Sequence, residues 1–497
     1  MMIAAARTGV WRRAAIWGGA ALAAGGLAGR LPVVTSAGAF GAAVVVAVVV
    51  LEPALGLVLM LGLAPLKTLI ATEAHFSLPV DIGQITLALA VFAWSIGRVT
   101  QRRFDPLPHT RFYAPLLLIM AGFGPSLFAA TSTGAWLSEM LKWVEMLLLV
   151  GIVMDLARDG RWAWIAFGVV LAATLQAVIG LYEYFGGSGA PHLWISNFQR
   201  FRAFGTFGQP NPFSAFMGLS LPLALGLTWG YGRRGLVGWR ERDARRRRYV
   251  APASIALGYA ACSGLLLGGL VASWGRGAWL GFGAAGVVMV FFAPRRRRRG
   301  AALLAVGAVL AAMMWTAGYA PAGIRQRVQS TLTEFSGFGD MRAVPISDEN
   351  FALVERLAHW QAAVNMANAH PLAGVGLGNY EAAYPDYGLV SWPRALGHAH
   401  NDYLNVLAET GLVGLFGYLA GWAVIVWWTL CALRLSDPVL RGLALGLLGA
   451  WTHLAVHSFV DKLYVNNLFL HLGVMLGLAA VAYQYAQRPV EDMGNVV

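Results

Sequence analysis

Apolar stretches of about twenty residues recur along almost the whole chain, and a run of that length with few charges crosses a bilayer as a helix. They fall at 14–30, 36–51, 54–72, 83–98, 113–130, 139–156, 162–184, 212–231, 250–272, 278–293, 300–319, 404–430, 438–457 and 466–486. The first two are rich in Ala, Gly and Val and their division is open, so about twelve to fourteen transmembrane helices are expected. Only 12% of the 497 residues are charged and 58% are hydrophobic, against roughly 25% charged in soluble domains. The 60 glycines suit helices that approach closely in lipid. The expected fold is all-α and polytopic. Its first helix starts at about Ala14 behind Arg7, Arg12 and Arg13, and reads as a retained span rather than a cleaved leader.

The net charge of +13 is concentrated in Arg98–Arg103, Arg233–Arg248 and Arg295–Arg299. Each run sits directly between apolar segments. That is the pattern of short cytoplasmic loops, and it argues against nucleic-acid binding. With these runs cytoplasmic, both termini are cytoplasmic, and the loops at 185–211, 273–277, 320–403 and 458–465 face the other side. Three regions follow: helices with external arginine motifs over 1–319, a cap over 320–403, and C-terminal helices over 404–497. Residues 355–369 have helical character and precede a glycine-rich turn, Gly374 to Gly378. No βαβ unit precedes that turn, so it reads as a tight turn and not as a nucleotide loop. Cys262 and Cys431 lie in apolar runs and have no disulfide or metal spacing.

The candidate chemistry gathers in the external loops. His398 and His400 stand at the mouth of an apolar helix, followed by Asn401 and Asp402. A histidine takes up a proton near neutrality and serves as a general base; alternatively both rings cap the helix, a role that Asn401 or Asp402 also fits. The i, i+2 spacing puts the two rings on opposite sides of an extended chain, so they need not share a task. Arg200 and Arg202 precede one span, and Arg276 lies in the short turn Ser273-Trp-Gly-Arg276 between two others. Guanidinium forks there suit a phosphate, or anchor the chain at headgroups. His453 and His457, with Asp461 one turn further, suggest polar residues lining a cavity. Zinc is the lesser reading, since no third strong ligand is evident. Glu139, Lys142 and Glu145 share a helix face and can neutralise one another, and Lys67 stands alone in an apolar run.

His400-Asn401, nine residues, then Gly411-Leu-Val-Gly414 resembles the His-Asn-x9-Gly-x-x-Gly signature of bacterial O-antigen ligases. Gly374-Val-Gly-Leu-Gly-Asn-Tyr380 and the Arg202 and Arg276 motifs resemble the same superfamily, which also holds O-antigen polymerases and protein O-oligosaccharyltransferases. The likeness is specific over about 200–416. It implies a polytopic, GT-C-like glycosyltransferase of the bacterial inner membrane, active on the periplasmic side beneath a helical cap. The implied donor is an undecaprenyl-diphosphate-linked glycan, and the implied acceptor a hydroxyl of lipid A-core, or a growing glycan in a polymerase. The implied transfer is metal-independent and inverting and uses no cofactor. The resemblance makes His400 the base and Arg202 and Arg276 the diphosphate binders, with His398, Asn401, Arg200, Glu409, His457 and Asp461 as possible support. Glu409 lies about 13 Å along the helix from His400, too far to touch it. A transporter of lipid-linked sugar is the competing class. It would place charges at the midplane and show repeats, whereas these motifs gather at one face.

Overall fold

The computed structural model describes residues 45–47, 49–73, 80–158, 160–187, 193–195, 200–240, 247–319, 325 and 351–487. The helices there are α1 (Pro53–Leu63), α2 (Lys67–Glu73), α3 (Ile82–Thr100), α4 (Tyr113–Phe123), α5 (Thr133–Ala157), α6 (Trp162–Tyr184), α7 (Pro210–Arg240) and α8 (Arg247–Ala272). They continue as α9 (Arg276–Phe292), α10 (Arg297–Thr316), α11 (Phe351–Ala369), α12 (Tyr380–Tyr387), α13 (Asp402–Ala432), α14 (Pro438–His457) and α15 (Leu468–Gln487). Among the described residues, nine segments are long and apolar enough to cross a membrane, and Tyr113–Ala129 and Arg276–Phe292 are shorter apolar helices. Helix α5 has the length but carries Glu139, Lys142, Glu145 and Asp155. The chain is an all-α, polytopic membrane protein. These helices correspond to the expected runs from 54 onward. The run at 14–30, most of 36–51 and most of 320–350 lie outside the described residues.

One departure from pure helix is a two-stranded antiparallel hairpin, β1 (Trp194–Ile195) and β2 (Arg200–Phe201), with Trp194 opposite Phe201. The described residues fall into two compact units, a smaller one drawn from Met1–Gly56 and Ala88–Phe104, and a larger one from Leu57–Leu87 and Asp105–Val497. All candidate site residues belong to the larger unit.

Within it, α7 crosses α14 where Gly226 meets Gly442 and Gly446, and α13 crosses α4 where Gly417 meets Gly122. Small residues let backbones touch where lipid gives no hydrophobic drive to pack. Helices α7 and α9 run from the motif-bearing end, and α14 runs back to it. At the far end of these helices, arginines are tied down. Arg234 pairs with Asp437, Arg295 donates to Leu435 O at 3.2 Å, and Arg441 donates to Leu433 O at 3.0 Å, Ala293 O at 2.9 Å and Phe292 O at 3.1 Å.

Helix α13 is broken. Gly411 has φ 64° and ψ −167° inside it, which removes backbone bonds that lipid cannot replace. The turn before α12 restores them: Val375 N–H donates to Ala408 O and Gly376 N–H to Glu409 O, both at 2.9 Å. In return, Leu412 N–H donates to Pro371 O at 2.8 Å and Val413 N–H to Leu372 O at 3.3 Å. The glycine-rich turn is therefore a plug for a helix break. Gly374, at φ +67°, leaves no room for a Cβ, which would stand 2.3 Å from Glu409 C. Residues 412–432 alone span about 30 Å, enough for the hydrocarbon core. The break thus sets the first turns of α13, with the histidines before them, apart from the spanning part.

A cap of α11 and α12 sits on that segment, its core formed by Ala362, Ala363, Met366, Tyr380 and Tyr384 with Ala399 and Ala408. Gly411→Ala meets both the backbone strain and a Cβ 2.3 Å from Leu372 C. It should cost about 1–3 kcal/mol in strain alone, read as a lower melting temperature in detergent and faster proteolysis of the cap. Gly283→Ala on α9, with open space around it, should be neutral or raise stability by up to about 1 kcal/mol.

Candidate active site

The start of α13 is bolted to the turn that follows α14. The Asn401 side chain accepts Leu404 N–H at 3.0 Å as N-cap and donates to Phe459 O at 2.9 Å. Asp402 N–H donates to Ser458 O at 2.8 Å, and its Oδ2 accepts Ser458 Oγ at 2.8 Å and Leu463 N–H at 3.1 Å. That turn carries Asp461, whose Oδ1 lies 3.4 Å from His400 Nδ1. Capping is thus the work of Asn401, leaving the histidine rings for other tasks.

His400 has φ 52°, a left-handed conformation uncommon for a residue with a side chain. Both sides of its backbone are held: its N–H donates to His398 Nδ1 at 3.1 Å, and Trp360 Nε1 donates to its carbonyl at 3.3 Å. Ala399 N–H donates to Asn405 Oδ1 at 3.1 Å, tying the preceding residue to α13. The turn brings the two imidazoles to 4.4 Å between centroids. The extended-chain expectation that separated them is therefore corrected, because the segment curls back on its own side chain.

Since His398 Nδ1 accepts an amide proton, its own proton sits on Nε2. Burial, with His400 beside it, pushes this imidazole down to about 3, so it stays neutral. Burial alone would push the Asp461 carboxyl up; the facing His400, with His398 and His457 behind it, outweighs burial and holds it well below the usual carboxylate range. Burial likewise opposes the charge on Lys462, but Glu139, Glu409 and Asp402 together raise it above the usual lysine value.

The two arginine motifs converge on the α8–α9 turn. Arg202 Nε donates to Ser273 O at 2.9 Å, and Ala203 N–H to Ala272 O at 3.0 Å. Arg276 is the first residue of α9, behind Trp274 at φ 54°. The next residue, Gly277, packs on Val460 and His457, so the arginine turn abuts the turn that carries Asp461. Arg200 instead stacks its guanidinium on Phe185 at 5.0 Å and Tyr184 at 5.7 Å.

His457 and His453 are buried in the bundle, 3.3 Å apart through Nδ1 and Nε2, with His453 wedged against Gly218 and Gly281. Glu409 Oε1 accepts Tyr380 N–H at 3.3 Å and serves the cap. Lys142 pairs with Glu139, but Glu145 Oε2 has no hydrogen-bond partner, so the acidic-basic row expected on α5 is only partly joined. Lys67 pairs with Asp81 at 3.1 Å. Sequence reasoning missed Trp360 and His359. His359 stacks on Tyr384 at 4.9 Å and stands edge-on to His400 at 6.0 Å. The helical pattern at 355–369 marked their element, yet nothing local pointed to their partner.

The histidine loop and the arginine turn thus gather at one end of the helical bundle. Residues 261–419 match the family model described as O-Antigen ligase. Over that stretch the chain is similar to the O-antigen ligase and polymerase superfamily. The matched stretch runs from within α8 through the break in α13, so it holds Arg276, the cap, the plug and both histidines, and excludes Arg202 and Asp461. No curated protein matches the chain. The protein is thus a multi-pass membrane protein whose residues 261–419 are similar to a family of glycosyltransferase-like membrane enzymes.

The bond between His400 N–H and His398 Nδ1 predicts a specific role for each His398 nitrogen. Asn places an acceptor oxygen where Nδ1 stands and can take the N–H two residues on, as in an Asx-turn; Gln places its amide near Nε2 instead. His398→Asn should keep glycan transfer within about threefold of wild type, and His398→Gln should lose about tenfold, the equivalent of one hydrogen bond of ~1.4 kcal/mol. The reverse order would mean that Nε2 meets substrate. A pH-rate profile adds a check: neither variant should shift its acid limb, because His398 stays neutral.

Proposed function

We propose that this protein transfers a glycan from undecaprenyl diphosphate to a hydroxyl of lipid A-core, as an O-antigen ligase, on the periplasmic side of the inner membrane. The reading rests on one juxtaposition above all. His400 is turned toward Asp461 on the same α14–α15 turn against which the Arg276 end of α9 packs. The basic runs tied down at the opposite end of α7, α9 and α14 support a cytoplasmic location for that end.

In this reading His400 keeps a proton on Nδ1, aimed at the Asp461 carboxylate, and offers Nε2 as the base. Asp461 and the backbone bonds from His398 and Trp360 orient the ring. The acceptor hydroxyl gives its proton to Nε2 as its oxygen forms the new bond to the anomeric carbon. The bond from that carbon to the phosphate oxygen breaks, and its electron pair leaves with undecaprenyl diphosphate. Arg202 and Arg276, held at one turn, meet the charge that develops there. No metal ion is needed for that charge. A single displacement inverts the anomeric centre, so an α-linked donor gives a β-linked product.

Purified full-length protein, given undecaprenyl-diphosphate glycan with and without lipid A-core in chelator, tests the assignment. Product should form on lipid A-core. His400→Ala should lower the rate by about 10²–10⁴-fold, and Arg276→Gln by about 10²–10³-fold, with Arg276→Lys retaining more. Longer lipid-linked glycan made without lipid A-core would replace the ligase with a polymerase. Undiminished transfer by His400→Ala would remove the base from His400.

A further inference from the structure

We propose that His398, His400 and Asp461 also form a binding site for one zinc ion, and that its occupancy switches the transferase off. The inference deepens the reading of His400 as base and rests on it. Each of the three side chains offers a ligand atom, and these atoms lie within 4.8 Å of one another. His400 Nδ1 is buried with no hydrogen-bond partner, although Asp461 Oδ1 stands only 3.4 Å away. A buried ring nitrogen without a partner is unusual. Two ligands held at about 2.0–2.1 Å by a tetrahedral zinc stand about 3.3–3.4 Å apart. The 3.4 Å between His400 Nδ1 and Asp461 Oδ1 thus already matches the edge of a zinc tetrahedron.

His398 completes the set from the other side. Its Nδ1 is taken by the His400 N–H, which leaves Nε2 to bind. Two imidazoles and one carboxylate, with a fourth position open, are a ligand set that suits zinc and does not suit magnesium. His453 and His457 meet through one nitrogen each, and among the described residues no third ligand joins them.

The consequence follows from imidazole chemistry. A neutral ring whose Nδ1 lone pair binds zinc carries its single proton on Nε2. Zinc displaces the proton from Nδ1 to Nε2, so the nitrogen that would accept the acceptor's proton is already protonated. Asp461 is withdrawn from the ring at the same moment.

Full-length protein in detergent, stripped with chelator, is titrated by calorimetry with zinc chloride alone and with magnesium chloride alone. Transfer is then measured against free zinc. One zinc per chain, no magnesium heat, and binding weaker by about tenfold or more in Asp461→Asn and His398→Asn are expected. Wild-type transfer should fall in step with occupancy and return on adding chelator. Melting temperatures report whether each variant is folded; if one is not, the other carries the comparison. Absence of zinc binding, equal binding by both folded variants, or transfer that is unchanged or raised at full occupancy would overturn the proposal. Metal-free protein that transfers to no acceptor would instead overturn the ligase reading and the switch, leaving the zinc stoichiometry to stand or fall alone.

Discussion

The break at Gly411 is the constraint around which the cap end of this protein is arranged. A spanning helix that opens its backbone ladder leaves carbonyls and amides that lipid cannot satisfy. Here the 371–376 segment meets Ala408, Glu409, Leu412 and Val413 on both sides of the opening. That pairing fixes the cap to the helix whose first turn carries the histidines. Because Gly374 lies against the Glu409–Thr410 backbone and Gly411 against the Leu372–Ala373 backbone, neither can gain a side chain without parting the two segments.

The signature spacing then has a physical meaning. Asn401 closes the start of α13 as its cap, and Gly411 ends its first straight piece. Between them lies a rigid rod of about 13 Å, clamped at one end to the α14–α15 turn and at the other to the cap. His400 sits just before the cap residue, where the chain need not be helical. It is there that a left-handed residue held by His398 and Trp360 can be aimed. Rigid elements hold the site, and a short turn does the aiming.

How much of this was legible in sequence depended on the range of each interaction. Apolar length alone located the described spans. The glycine-rich segment was rightly read as a turn rather than a nucleotide loop, but its partner lay at the far side of the cap and carried no local mark. The opposed-ring expectation for His398 and His400 failed for a related reason. An i, i+2 rule assumes an extended chain, and the left-handed φ of His400 is imposed by Trp360 and by its own neighbour's ring. Trp360 is forty residues away, in a helix whose pattern speaks only of packing. The hairpin before Arg202 is two residues per strand and too short for an alternation to register.

Asp461 illustrates the limit most clearly. In sequence it stands one turn beyond His453 and His457, and helical spacing groups it with them. In the structure α14 ends at His457, and the chain turns so that Asp461 leaves the helix face and meets His400 instead. The histidine pair left behind inside the bundle meets through His457 Nδ1 and His453 Nε2, while the carboxylate joins His400. A helix end thus sorts three residues that look like one cluster into two roles. The same turn presents Val460 to Gly277 beside Arg276. A single irregular segment between α14 and α15 therefore connects the carboxylate, the ring it faces and the start of the arginine helix. This is why loss of its Ser458 and Asp402 anchorage would disturb all three together.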